Sequence, residues 1–352
     1  MSLSVLGMNH RTAPIHLRER LSIPSRDLPK ALPGLLTASI QEAVILSTCN
    51  RTELYAVSGN LHEARAQGVE LLAGLSHLEP SEFEAHLYWM ERREAAHHLF
   101  RVTAGLDSMI LGETEITAQV KHAYGAAVSA GAADSILNRL FQKAFHCAHL
   151  VRSRTDIAKG QTSIGSMVVR WARESLGQDL ECRSALVWGA GKASESTARN
   201  LTQAGLGRLW VVNRTLSRAQ DLAEICRAGW ASWEEGMRYL EEVDLAVLST
   251  QAPHYVLSRE DMLAVMTRRS GRPVYLLDLA VPRNVDPAAG EVRGVHLKNI
   301  DDLTAASQAA LKERGRHLPA CELILHDQVE HFMEWLNRGP LKEEVTCPVQ
   351  VS

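Results

Sequence analysis

From Ser184 onward the sequence alternates short apolar runs with amphipathic stretches, and no other feature limits its possible folds so tightly. "SALVWGAG" leads into a helical pattern to about Gln203, and "RLWVVNRT", "VDLAVLST", "PVYLLDLAVP" and "GVHLKN" follow with helical patterns among them. Adjacent parallel strands need a crossover, and a helix is the usual segment that makes it. The expected class is therefore multidomain α/β, with a Rossmann-type, doubly wound unit over residues 156–298.

The first run ends in "GAGKAS", residues 189–194, at a strand end and at the start of a helix. Gly189 permits a tight turn, and Gly191 lets the backbone approach a pyrophosphate that the helix N-terminus attracts. Ser194 stands where a third Gly or Ala is usual, a small weakening of helix–strand packing. The second run ends at Asn213 and Arg214 rather than at an acid, which favours a 2′-phosphate over a free ribose hydroxyl. The expected cofactor is NADPH, held by Gly189, Ala190, Gly191, Lys192, Ala193, Ser194, Asn213, Arg214 and Ser249. A purely structural turn and a solvated arginine are the alternatives.

Residues 1–155 read differently. "LSVLGM", "EAVILST", "ELYAVSG" and "HLYWM" have strand character, while "PIHLRERL", "LPKALPGLLTA" and "LHEARAQGVELLAGL" have helical character. That order is the pattern of a ferredoxin-like α+β unit. Residues 94–152 read as helical throughout, and "TDIAKGQTS", residues 155–163, as a hinge. A linking helix is expected over residues 299–338, interrupted at Pro319, and a frayed tail over residues 339–352.

Composition narrows the function mainly by exclusion. The 352 residues carry a formal charge of −3, so any nucleic-acid contact must use a local basic face. Arg92, Arg93, Arg139, Lys143, Arg152 and Arg154 are candidates, with a solvated helix face as the default. The six cysteines (Cys49, Cys147, Cys182, Cys226, Cys321 and Cys347) form no C-x-x-C pair. His146 and His149 in "HCAH" lack a second ligand cluster, so no metal site is expected. No segment approaches membrane-spanning length and no leader pattern opens the chain, so a cytoplasmic protein with reduced thiols is expected.

Cys49 interrupts this pattern: it sits where "AVILST" breaks, followed by Asn50 and Arg51. A thiolate can attack an acyl group, and the resulting thioester accepts hydride far more readily than a carboxylate does. Arg51 is placed to favour the thiolate or to bind an anionic substrate group. A buried structural cysteine is the alternative reading.

"LSTCNRTELY" (46–55) resembles the signature of the glutamyl-tRNA reductases. "GMNHRTAPIHLRERL" (7–21), "HLFRVTAGLDSMILGE" (98–113), "VRSRTDI" (151–157), "LDLAVPRNVDP" (277–287) and "NIDDL" (299–303) continue it in collinear order over about the first 338 residues. The resemblance implies that Cys49 attacks the ester joining glutamate to tRNA(Glu), releases the tRNA and holds a glutamyl thioester. NADPH then reduces the thioester to glutamate-1-semialdehyde, opening the route to 5-aminolevulinate and the porphyrins. His98 matches the family's histidine, with protonation of the departing ribose oxygen as its role, whereas His97 is expected at the surface. Substrate binding is carried over to Thr48, Asn50, Arg51, Ser108, Glu113, Thr114, Glu115 and Gln119. Arg51, taken as unpaired, is expected to fork onto the substrate carboxylate and reject glutamine. Glu113 is expected to meet the α-ammonium group. A helix cap is the plain alternative for Thr114.

The resemblance also implies a homodimer and hand-off to the aminotransferase that consumes the aldehyde. Family members continue past "HFMEWLNRG" into a helical dimerisation domain, of which this sequence has a short tail. Glu115 stands where the family usually has glutamine. Two other readings need different chemistry. A shikimate-dehydrogenase-like enzyme requires a Lys–Asp pair and leaves Cys49 idle, and a non-catalytic tRNA-binding paralogue has no use for the nucleophile.

Overall fold

The computed structural model describes residues 1–157, 163–305 and 315–338. They form two compact units. One takes Met1–Leu17 and residues 21–157 and 315–338; the other takes residues 163–305, with Arg18–Arg20 counted in it.

The first unit is built on β1 (Ser2–Asn9), α1 (Ile15–Leu21), β2 (Ile40–Ser47), β3 (Arg51–Ser58), α2 (Leu61–Ser76) and β4 (Tyr88–Glu91). The sheet order is β2-β3-β1-β4 and every pairing is antiparallel, the ferredoxin-like arrangement expected from the strand and helix order. β3 is buried along its whole length, so both of its faces are covered. Gly68 of α2 lets that helix approach the sheet: a Cβ there would come within 2.7 Å of the Leu6 side chain. The helix expected over "LPKALPGLLTA" is only a turn, Leu28–Ala31, followed by a 3₁₀ turn, Leu32–Gly34. Pro33 withholds a backbone donor and collides with the preceding turn, so propagation stops there.

Three helices follow: α3 (Arg92–Thr103), α4 (Glu115–Ser129) and α5 (Ser135–Arg154). Residues 104–114, expected to be helical, are instead a chain of turns. Gly105 (φ +74°) and Gly112 (φ +80°) set this break, because both adopt the left-handed region that side chains disfavour. A Cβ on Gly105 would also meet the Glu113 carbonyl oxygen at 2.5 Å. Across the sheet, Tyr55 of β3 packs edge-on against Phe141 of α5, with ring centroids 5.7 Å apart.

The second unit begins with α6 (Ile164–Leu176) and continues β5 (Ser184–Trp188), α7 (Lys192–Gln203), β6 (Arg208–Val212), α8 (Leu216–Cys226), β7 (Gly229–Ala231), α9 (Gly236–Glu242) and β8 (Leu245–Leu248). It is completed by α10 (Arg259–Arg268), β9 (Val274–Asp278), β10 (Val295–Asn299) and α11 (Ile300–Ala305). Its six strands are parallel in the order β10-β9-β8-β5-β6-β7, so the chain reverses direction across the sheet between β5 and β8. That is the dinucleotide-fold order, with its switch point at the glycine turn.

The linking helix expected over residues 299–338 is not described as one piece. α11 packs against α6, whereas α12 (Leu318–Arg338) packs against α3 and α5 of the first unit. Pro319 lies in the first turn of α12, where its missing donor costs nothing, so it starts this helix rather than kinking it. The tail over residues 339–352 and most of the expected hinge, residues 158–162, lie outside the described residues. Among the described residues no helix is long and apolar enough to cross a membrane.

Glu42 of β2 fixes where α5 starts. Its carboxylate accepts from the backbone N–H groups of Asp134 (3.0 Å), Ile136 (3.1 Å) and Leu137 (2.7 Å), donors that a helix N-terminus otherwise leaves unpaired. Burial pushes the Glu42 carboxyl up, and those three bonds draw it back. Glu42→Ala strands these donors in a closed site and is expected to lower stability by about 2–4 kcal/mol, read from urea unfolding.

Candidate active site

Thr48, Cys49, Asn50 and Arg51 form the tight turn between β2 and β3. The Thr48 N–H donates to the Arg51 carbonyl at 2.9 Å, and the Thr48 hydroxyl accepts from the N–H groups of Asn50 and Arg51 at 3.2 Å each. Thr48 thus shapes the turn that carries Cys49 at its tip. The thiol is partly exposed, unlike Cys147, Cys226 and Cys321, which are buried. The His10 N–H ties the Asn50 carbonyl to the end of β1 at 2.9 Å.

Arg51 is not the open fork expected from the sequence. Its side chain is 1% exposed and already paired, with Glu53 Oε1 at 2.6 Å and Asp107 Oδ2 at 3.0 Å. One nitrogen also donates to the Asp107 carbonyl at 2.6 Å. Burial works against its charge, but Glu53, with Tyr88 and Asp107 behind it, more than reverses that, so the guanidinium stays ionised. Asp107 is shared: Asn9 Nδ2 donates to it at 3.3 Å, and the half-exposed Arg11 pairs with it at 3.0 Å.

Glu53, given no role in the sequence reading although it lies in the 46–55 stretch, is the centre of the arrangement. It is fully buried, and its oxygens accept from Arg51, from His98 Nε2 at 2.9 Å and from the hydroxyls of Tyr55 and Tyr88 at 2.6 Å each. Burial alone would push this carboxyl up; Arg51 and His98 override it and hold it well below the usual range. Burial and the neighbouring carboxylate push both tyrosines well up, so both remain hydroxyl donors. His98 is 7% exposed and borders a cavity of about 430 Å³ lined also by Arg11, Met90, His97, Arg101 and Asp107. Glu53 lies within the quoted stretch 46–55, and its alternation with Arg51 and Tyr55 puts all three on one face of β3.

The turn segment after α3 brings Asp107, Ser108 and Glu113 to this network. Ser108 is buried and Glu113 lies beside it. Thr114 stands at the N-cap of α4 without a side-chain capping bond, Glu115 is its exposed first residue, and Gln119 lies one turn on, half-buried. His97, expected at the surface, is half-exposed and bonded to Glu322 of α12 at 3.1 Å. Of the basic residues considered for RNA, Arg93 pairs with Glu330, Arg139 lies over the Trp335 ring and Arg152 donates to Thr117.

In the second unit the glycine turn has the shape a pyrophosphate needs. Gly189 has φ +123°, and a Cβ there would meet the Ser249 carbonyl at 2.3 Å; around Gly191 the space is open. Ser194 is fully buried, its hydroxyl 3.5 Å from the same Ser249 oxygen, so the third small position fits without loss of packing. Asn213 Nδ2 donates to the Thr215 carbonyl at 3.0 Å, and the exposed Arg214 lies over the Trp233 ring, 5.7 Å from its centroid. These residues fit a nicotinamide dinucleotide.

Burial, and after the opposing Ser108 the charge of Glu115, raise the Glu113 carboxyl to about 7. An unfolded Glu titrates at about 4.3, so between those values the folded chain keeps a proton that the unfolded chain has released. Stability therefore declines as pH rises through that window. Glu113→Gln removes the penalty: its melting temperature is expected to match the parent at pH 4 and exceed it at pH 8.

Comparison with known proteins agrees with this architecture. Residues 6–155 match the family model for the glutamyl-tRNA(Glu) reductase N-terminal domain, and residues 170–306 match that for shikimate/quinate 5-dehydrogenase. The chain is 40% identical to glutamyl-tRNA reductase of Syntrophotalea carbinolica over 338 residues, covering 96% of this chain and 76% of the relative. It is 38% identical to that of Solibacter usitatus, covering 100% and 82%. The solved glutamyl-tRNA reductase of Methanopyrus kandleri is 31% identical and superposes with a TM-score of 0.50 over 96% of this chain and 80% of that one. Identity at this level, sustained from the thiol-bearing turn to the last described helix, places the chain in the glutamyl-tRNA reductase family.

Proposed function

We propose that this chain reduces glutamyl-tRNA(Glu) with NADPH to glutamate-1-semialdehyde and releases tRNA(Glu), with Cys49 as nucleophile and His98 as general acid. The observation that carries the reading is a partly exposed thiol on a rigid turn, two residues from an arginine whose partner also holds His98. Cys49, its thiol proton lost to solvent, attacks the acyl carbon as the thiolate; the C–S bond forms, the C–O bond to ribose breaks, and His98 as imidazolium protonates the departing oxygen. The ester arrives activated, so the thioester forms without a further energy source.

Thr48 holds the turn, and Asn50, Ser108, Glu113, Thr114, Glu115 and Gln119 line the approach of the glutamyl group. Arg51 acts through its fixed charge and through the peptide it anchors, its fork being occupied by Glu53 and Asp107. Glu113, which loses its proton near neutral pH, suits the α-ammonium group when ionised. The turn Gly189–Ala190–Gly191, with Lys192, Ala193, Ser194 and Ser249, is assigned to the cofactor diphosphate and the sheet edge beside it, and Asn213 and Arg214 to the 2′-phosphate. When bound, NADPH supplies the hydride that converts thioester to aldehyde.

The match to a shikimate dehydrogenase model spans only the cofactor unit and leaves Cys49 unexplained. Purified protein given charged tRNA(Glu) and NADPH should form aldehyde, and Cys49→Ser should abolish it. Activity unchanged by that substitution would overturn the assignment, and tRNA binding without turnover would mark a non-catalytic paralogue. Arg214→Ala is expected to raise KM for NADPH about tenfold or more while leaving KM for NADH within about twofold, since only the former carries the phosphate.

A further inference from the structure

Glu53 is a buried ionised group that the reaction as written does not use. Four donors meet its two oxygens: Arg51, Tyr88 and His98 Nε2 on Oε1, and Tyr55 on Oε2. Three of these crowd Oε1 and one meets Oε2, and the side chain is 0% exposed, so neither oxygen is open to substrate. A carboxylate enclosed in this way does not serve as the base. It can orient and polarise what is bonded to it.

We propose that Glu53 is the positioning residue for His98, and that by accepting a hydrogen bond from Nε2–H it makes Nδ1 the atom that exchanges protons with the substrate. The inference rests on the assignment of His98 as general acid. A neutral imidazole carries one N–H. Glu53, ionised and 2.9 Å from Nε2, can only accept there, so the neutral ring is the Nε2–H tautomer. Nδ1 is then the lone-pair nitrogen, and it becomes the second donor when the ring is charged. The Tyr88 ring meets the imidazole edge-on, with centroids 5.2 Å apart, and its hydroxyl lies 3.4 Å from Nε2. Because that hydroxyl also donates to Glu53, Tyr88 restrains the carboxylate and the ring together.

The charges around His98 separate this role from general electrostatics. On β3 stand Arg51 and Glu53; beyond them stand Asp107 with its partner Arg11, then Glu94, His97 and Arg101 of α3, and Glu322 of α12. Among these, Glu53 is the one carboxylate bonded to the ring. Proton release from the imidazolium to the ribose oxygen leaves the neutral Nε2–H form, which Glu53 already holds in register. No proton crosses to Glu53 at any stage, as in serine-protease triads, where the aspartate orients and stabilises without being protonated.

Three measurements test this. Nitrogen-15 NMR of His98 in the unliganded protein at alkaline pH should show Nε2 protonated and Nδ1 free; the opposite tautomer overturns the proposal whatever the enzyme's activity. In single turnover without NADPH, Glu53→Gln should slow tRNA release by about 10²-fold or more, the range of one proton-transfer catalyst, and move the alkaline limb of the rate profile to lower pH. With a glutamyl ester of a nitrophenol, whose leaving group needs no acid, the variant should stay within about threefold of the parent, by the same reasoning. Equal losses on both substrates would reduce Glu53 to a structural role. Should Glu53→Gln fail to fold, Tyr88→Phe, which keeps the carboxylate and removes one donor, should show the same leaving-group dependence on a smaller scale; equal losses there also overturn the proposal. Absence of tRNA release by the parent protein would instead refute the proposed function, leaving the tautomer to be judged by NMR.

Discussion

The buried ion pair between Arg51 and Glu53 is the constraint on which the first unit depends. Two full charges sit inside a sheet at 1% and 0% side-chain exposure. Desolvation costs several kcal/mol per ion in such a setting, and mutual attraction offsets it only where the remaining donors and lone pairs are also satisfied. Asp107, His98, Tyr55 and Tyr88 meet that condition from four separate segments. The network thereby fixes β3, β4, α3 and the turns after α3 relative to one another. A scaffold held this way can present a thiol without letting its surroundings drift, which is what acyl transfer demands.

The broad architecture was legible in the sequence because periodicity reports burial. Strand and helix periods named the ferredoxin-like order and the parallel sheet, and both are found. Two stretches misled the pattern. Residues 104–114 carry helical spacing, yet Gly105 and Gly112 adopt backbone angles that helices exclude. The run around Pro33 carries apolar spacing, yet proline leaves it without a donor. In both, the backbone chemistry of one or two residues outweighed the side-chain pattern.

The site was legible in part, and for a different reason. Cys49 and Arg51 stood out because polar residues interrupted an apolar strand, and the family resemblance supplied His98 and the residues after Ser108. What pairs with Arg51 could not be read, because Asp107 lies 56 residues away and its approach depends on those unforeseen turns. Glu53 looked like an ordinary strand carboxylate. Only the fold shows that its face is closed and that four donors converge on it.

The first unit is not continuous in the chain. α12 returns to pack on α3 and α5, with Cys321, Leu325, Val329 and Phe332 buried and Glu322 bonded to His97 and to Arg101. During synthesis the cofactor unit has all of its strands before α12 leaves the ribosome. Until that last helix arrives, the unit that carries Cys49 keeps apolar surface of α3 and α5 uncovered. A nascent chain halted before residue 318 would leave that apolar surface facing water, the condition under which partly made domains associate wrongly.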